Sequence, residues 1–315
     1  MTESPERAYV RHANVPPARV ASVLPLLLAS ALLAEGCQLV GGYDEFERSG
    51  PGDGGPKKSP CDALPRSKTS QEGDLLHGPL LLLIDNSYGC FWMDETEVTV
   101  GQYREWLDYL DHSGNAPPWQ EQSSWCSVKG DARAFNPDLS GECQEQAAST
   151  PDPFAPRKPI RCVDWCEAEA YCAWAGKRLC KVGNPSDEWQ IACSAGYTQE
   201  YPFDPSMPGG SCNYDQMGCS LGCGPREARQ DDDCRPTANY PFDLGGNVEE
   251  WIDFCDVSGD GTTFCGYRGG SYLTPETKLK CSYNLGGEYW STRDPRVGFR
   301  CCDDLTDQER ALLSH

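Results

Sequence analysis

Asp243-Leu244-Gly245-Gly246-Asn247-Val248-Glu249-Glu250-Trp251 is the stretch on which the reading of this 315-residue chain turns. Two carboxylates, Asp243 and Glu250, flank a Gly-Gly-Asn turn whose backbone carbonyls can point into one space. Calcium takes carboxylate and carbonyl oxygens in a flexible shell, and a glycine turn folds tightly enough to offer several of them at once. The same residues also read as a hairpin turn with two solvated acids, because turn chemistry alone accounts for Gly-Gly-Asn. Taken by itself, the segment leaves both readings open.

Working outward, Tyr267-Arg268-Gly269-Gly270-Ser271-Tyr272 follows, and Val297-Gly298-Phe299-Arg300-Cys301 closes the series. Upstream stand Trp174-Ala175-Gly176-Lys177-Arg178-Leu179 and the pair Glu188-Trp189. No single one of these is specific, but their order from about Phe91 to Cys301 resembles the formylglycine-generating enzyme family, also called the sulfatase-modifying factor domain. The resemblance implies an α+β fold of the C-type-lectin-like kind, with little regular secondary structure. It also implies calcium ligands: side-chain oxygens of Asp243 and Glu250 and carbonyls of Gly246 and Val248 for one ion. Asn213 and Tyr214 match the start of the family's second ion site, with Asp231, Asp232 and Asp233 available to complete it.

The N-terminus reads as export. Arg7, Arg11 and Arg19 precede an apolar run from Val20 to Leu33, and Ala34-Glu35-Gly36-Cys37 follows. A basic region, a short apolar region and a small-residue cleavage site make residues 1–36 a signal peptide. Cys37 is a candidate for lipidation, with simple secretion or periplasmic release as the alternative. Residues 37–72 are rich in Gly, Pro, Asp and Ser and read as a flexible tether. The folded domain is expected over 73–302, with a polar tail over 303–315. The nineteen cysteines suit an oxidising compartment and a disulfide framework rather than zinc, since no C-x2-C pair or matching histidines accompany them. Cys255 and Cys265 bracket a glycine-rich turn and suit a hairpin staple, and Cys126 with Cys143 would close the polar insertion from Gly114 to Pro156. By resemblance, Cys172 pairs with Cys301 and Cys193 with Cys281.

Two amphipathic segments stand out. Thr99 caps a helix with Gln102 in the capping-box position, and Val100, Tyr103, Trp106 or Leu107, and Leu110 line one face. Asp164 caps a second helix that Gly176 ends, and a third begins near Asn184-Pro185, with Asp187 and Glu188 suiting its positive end. Gly78 to Asp85, a short apolar run bounded by turn residues, reads as a buried strand.

The resemblance implies chemistry as well. In the family, two cysteines after R-G-G-S bind copper and oxidise a substrate cysteine in a C-x-P-x-R sequence to formylglycine. Here Thr274 and Leu279 occupy those positions, and neither ligates copper. Glu249 stands where the family has a pocket tryptophan, while Ser271 is retained as a pocket candidate. Cys302 is left as a possible free thiol. Non-haem iron lacks its histidines, because His77, His112 and His315 show no H-x-x-x-H pairing. A serine hydrolase lacks its G-x-S-x-G elbow. A formal charge of −21 argues against nucleic acid or anionic lipid as a partner. Two functions remain: a calcium-stabilised module that binds a peptide or glycan, or an active oxidase using Cys281 or Cys302. Copper is not expected in the first and is required by the second.

Overall fold

The computed structural model describes residues 59–313, except 70, 73–74, 77, 87–88, 114–122, 130–134, 138, 147–151, 153–154, 184–186, 207–211, 216–222 and 284–285. The expected signal peptide, Cys37 and the first part of the tether lie outside the described residues.

The strands are β1 (Ser67–Lys68), β2 (Gln71–Glu72), β3 (Leu75–Leu76), β4 (Leu81–Asn86), β5 (Gly89–Asp94) and β6 (Arg178–Leu179), then β7 (Glu249–Val257), β8 (Thr263–Arg268), β9 (Gly287–Tyr289), β10 (Val297–Phe299) and β11 (Cys301–Asp303). The helices are α1 (Val100–Ser113), α2 (Trp165–Trp174), α3 (Glu188–Cys193) and α4 (Asp307–Leu312). One sheet runs β1-β4-β5-β11-β6 and a second β10-β7-β8-β9, with β2 and β3 forming a separate ladder. Much of the remainder is turn and 3-10 geometry, as expected of the α+β reading.

Local chemistry explains the helices. Thr99 and Gln102 exchange hydrogen bonds at the start of α1, with Thr99 N donating to Gln102 Oε1 at 2.9 Å. Val100, Tyr103, Trp106 and Leu110 are all buried. Asp164 and Glu167 form a second capping box on α2. This helix is buried nearly all round, and Tyr103, Trp106, Tyr171 and Phe299 pack edge-to-face or stacked between it and α1. Ser258 to Thr262 form the β7–β8 turn, stapled by the expected Cys255–Cys265 bridge.

The two sheets meet at the C-terminal strands. β10 lies parallel to β7, and β11 pairs antiparallel with β5 and β6. A single residue, Arg300, separates β10 from β11 and is therefore placed between the sheets.

Cys172–Cys301 and Cys193–Cys281 form as the resemblance implied. Cys126–Cys143 does not form: Cys126 pairs with Cys166 and Cys143 with Cys162. The insertion is therefore stapled at two points to the start of α2, not to itself, a connectivity that cysteine spacing does not determine. Cys302 is no free thiol, because Cys180 bonds it. Two boundaries also move. Cys61–Cys90 and β1 bring the domain's start back to about residue 59, inside the expected tether. At the other end, the expected polar tail is structured. Asp304 pairs with Arg178 and Lys181, Lys68 bridges Asp303 and Glu309, and Thr306 with Glu309 caps α4.

Glu169 on α2 accepts hydrogen bonds from Ser123 N and Oγ, and burial raises its carboxyl pKa from 4.5 to about 7. Between those values the folded state holds a proton that the unfolded chain has released. Its stabilising contribution is full below about pH 4.5 and is lost as pH rises through about 7. Glu169→Gln removes this dependence. Relative to the wild type, it should gain about 1 to 2 kcal/mol on going from pH 5 to pH 8, read by urea unfolding with the disulfides intact.

Candidate functional site

The turn that opens β7 is shaped by three left-handed residues, Asp243 (φ 60°), Gly246 (φ 101°) and Asn247 (φ 58°). Gly246 is fixed by contact as well as by conformation, since a Cβ there would lie 2.4 Å from Asn213 O. That close approach permits the 2.7 Å hydrogen bond from Asn247 N to Asn213 O. The Asn247 side chain then ties three segments together. Its Oδ1 accepts from Arg226 N and from Asn213 Nδ2, and its Nδ2 donates to Glu97 Oε1 at 2.9 Å. Non-glycine residues held in left-handed conformations persist where neighbours over-determine them, and here they do.

Beneath the turn, Glu97, Glu250 and Arg300 are almost fully buried and Asp243 is 4% exposed. Arg300 Nε and Nη2 reach both oxygens of Glu250 at 2.8 and 2.7 Å, and Trp189 Nε1 adds a bond to Glu250 Oε2 at 3.0 Å. Arg300 Nη1 donates to Asp94 O and Nη2 also to Phe242 O. Asp243 Oδ2 accepts from Arg229 N at 2.7 Å. Burial pushes the Asp243 carboxyl up to about 7. Burial, then the neighbouring Asp243 charge, holds Glu97 well above the usual carboxylate range. Three carboxylates thus share one guanidinium, and Glu97 Oε2 has no hydrogen-bond partner among the described residues.

That surplus of buried negative charge and the orphaned oxygen fit a hard cation. Glu97 was not among the residues read as ligands. It stands in the T-E-V-T segment that opens the domain, whose spacing looks only like a helix start. Among the described residues, no three Asp, Glu, His or Cys side chains converge tightly enough to hold a metal alone. An ion here would draw on the Gly246 and Val248 carbonyls together with Asp243 and Glu97, with Glu250 shared with Arg300. Asn213 and Tyr214 lie against this same turn. Tyr214 stacks on Phe203 and donates to Glu276, while Asp231 pairs with Arg226 and adds to the upward push on Asp243.

Beside the turn opens a cavity of about 340 Å³, lined by Trp189, Glu249, Tyr267, Thr274, Lys278 and Arg296 among others. Of the two positions at which the resemblance implied cysteines, Thr274 lines the cavity and Leu279 is packed in the core behind it. Thr274 Oγ1 accepts from Ser271 N at 2.9 Å, and its carbonyl accepts from Asp215 N. Leu279 is 2% exposed and packs with Phe203 and the Cys212–Cys234 bridge. A Cβ on Gly270 would lie 2.7 Å from Leu279 and 2.8 Å from Thr274, so the two side chains close over a glycine. Ser271 is buried under this wall and its hydroxyl serves the turn, receiving Leu273 N at 3.4 Å. Neither of these two positions offers sulfur, and every described cysteine is disulfide-bonded, Cys281 and Cys302 included. These residues do not fit copper. Glu249 sits in the cavity wall with its carboxyl raised to about 7 by burial and its Oε2 without a hydrogen-bond partner among the described residues. The nearby Arg296 is held by Asp294.

The basic residues of the sequence series pair with buried or half-buried acids. Lys177 meets Asp94 at 2.5 Å with both side chains buried, Arg178 grips Glu188 with two 2.7 Å bonds, Arg268 bonds Asp187, and Arg300 bonds Glu250.

Comparison with known proteins agrees with this architecture. A family model described as the sulfatase-modifying factor enzyme 1-like domain matches residues 85–305. The formylglycine-generating enzyme of Streptomyces coelicolor is 30% identical over 179 residues, covering 47% of this chain and 54% of that protein. A hercynine oxygenase of Mycolicibacterium thermoresistibile is 32% identical over 149 residues, covering 43% and 31%. The inactive C-alpha-formylglycine-generating enzyme 2 of Bos taurus is 33% identical over 159 residues, covering 45% and 49%. The chain thus spans about half the length, or less, of these relatives. Among solved structures, PvdO from Pseudomonas aeruginosa aligns with a TM-score of 0.44 at 19% identity, over 79% of this chain and 97% of that one. With the family model matching well over half of its length, this chain belongs to the sulfatase-modifying factor enzyme 1-like domain family.

Proposed function

We propose that this chain is an exported, calcium-stabilised binding module of that family, which recognises a peptide or glycan and does not carry out copper-dependent cysteine oxidation. The observation that carries the reading is the state of the two cysteine-equivalent positions: Thr274 is a turn hydrogen-bond acceptor and Leu279 a core side chain. Soft thiolates select copper(I), and a hydroxyl and an isobutyl group do not. A cavity of about 340 Å³ is still a site once its thiols are gone. Complete disulfide bonding of the described cysteines supports an oxidising compartment, and a lipid on Cys37 would attach the protein to a membrane.

Calcium enters through the orphaned Glu97 oxygen and the buried carboxylate surplus. When bound it supplies charge compensation and pins the Asp243–Val248 turn. Any ligand that binds only the native state stabilises it by mass action, about 4 kcal/mol at a thousandfold excess over Kd. Saturating calcium should therefore raise the Tm of the chelator-treated protein by several degrees, and Glu97→Gln should abolish most of that rise. An unchanged Tm contradicts calcium stabilisation. Stoichiometric copper(I) uptake, measured by competition with a chromogenic chelator, contradicts the binding-module reading and favours an oxidase.

A further inference from the structure

The second sheet carries a groove that the cavity beside Thr274 does not use. Side chains alternate along a strand, so Ile252, Phe254 and Asp256 of β7 share one face with Phe264, Gly266 and Arg268 of β8. The cross-strand register adds β9, placing Gly287 opposite Gly266 and Tyr289 opposite Phe264. Two facing glycines leave a trough without side chains. A Cβ at Gly266 would lie only 3.3 Å from Ile252 Cδ1 and 3.4 Å from Phe254 Cδ1, so any side chain there would fill it.

One end of the trough is aromatic. Phe254 and Tyr289 are each 51% exposed and Phe264 is 38% exposed, with the Phe264 and Tyr289 rings 4.4 Å apart. The other end is cationic. Arg268 is 4% exposed and lines the groove, and Asp187 takes its Nη2. Its Nε and Nη1 have no hydrogen-bond partner among the described residues. Leaving guanidinium donors unpaired is costly, because charge-assisted bonds are the strong ones. Asp256, at the aromatic end, repels an anion there and sets the polarity of the groove. The whole cavity is about 410 Å³, within the range that takes small molecules.

We propose that this groove binds a small apolar carboxylate, its ring or chain lying on the Gly266–Gly287 floor between Phe254, Phe264 and Tyr289 and its carboxylate accepting from Arg268. Four residues of strand separate Phe264 from Arg268, about 13 Å, which matches a phenylalkanoate or medium-chain acid. This site is independent of what occupies the neighbouring cavity.

The test titrates 3-phenylpropionate into the disulfide-intact, calcium-loaded protein and follows it by NMR, with the isosteric 3-phenylpropionamide as the neutral control. The acid should bind saturably at one site and at least tenfold more tightly than the amide. Gly266→Val should abolish binding in protein whose spectrum shows it folded, and Arg268→Lys should weaken it tenfold or more. Should Arg268→Lys not fold, the acid-against-amide ratio and Gly266→Val still decide. Equal binding of acid and amide, no saturable binding of the acid, or undiminished binding by a folded Gly266→Val protein overturns the proposal.

Discussion

Replacing Arg300 with methionine is expected to cost the fold about 3 to 5 kcal/mol, the loss typical of breaking a buried ion pair from one side. Arg300 is 1% exposed and sits where β10 passes into β11, the point at which the chain leaves one sheet for the other. Its guanidinium satisfies both Glu250 oxygens and the carbonyls of Asp94 and Phe242. Without it, Glu250 keeps only the Trp189 bond and remains in an interior that already holds Asp243 and Glu97. Arg300→Met with Glu250→Leu should recover a large part of the loss, because an apolar pair carries no desolvation penalty. Urea unfolding of the single and double variants measures both effects. A single-variant loss under about 1 kcal/mol would show that the pair is not the joint between the sheets.

The second large effect lies in two adjacent disulfides. Cys172–Cys301 and Cys180–Cys302 close loops of 129 and 122 residues between the α2–β6 segment and β11. Closing one such loop from the open chain stabilises by about 5 kcal/mol in the chain-entropy model. With either bridge in place, the other closes only a short ring through its neighbour and adds about 3 kcal/mol. Removing either pair as Cys→Ala should therefore cost about 3 kcal/mol, and removing the second about 4 more, because Cys193–Cys281 already shortens the ring it closes to about 40 residues. Equal costs for the first and second removals would show that the two bridges do not act on one shared loop.

The sequence made some of this legible, for identifiable reasons. Helix starts were readable because Thr99 with Gln102 and Asp164 with Glu167 are local capping boxes, complete within four residues. The β7–β8 staple was readable because Cys255 and Cys265 flank one turn. Contacts set only by the tertiary fold were not. Cys126 and Cys143 suggested a closed loop, yet each meets a cysteine near the start of α2. Cys302 looked solitary because its partner, Cys180, is 122 residues away. The 303–315 segment read only as a polar tail, because the partners of Asp304 and Glu309, Arg178 and Lys68, are far away in sequence.

At the site, Asp243, Gly246 and Glu250 were drawn from one turn and the structure keeps them together. Glu97 escaped notice because it lies about 150 residues upstream and arrives through Asn247. At the two positions where the resemblance implied cysteines, Thr274 holds the Ser271 turn and Leu279 fills a core beside Phe203.

The measurement that tests the central claim most directly is peptide oxidation. The purified protein, with its disulfides intact, is supplied with calcium, copper, oxygen and a thiol reductant and offered a C-x-P-x-R peptide, which is read by mass spectrometry. The structure of the Thr274–Leu279 wall predicts that the peptide returns unchanged while the protein stays folded. Conversion of its cysteine to formylglycine would contradict the account and would require Cys281 or Cys302 to leave its disulfide and act as the catalytic thiol.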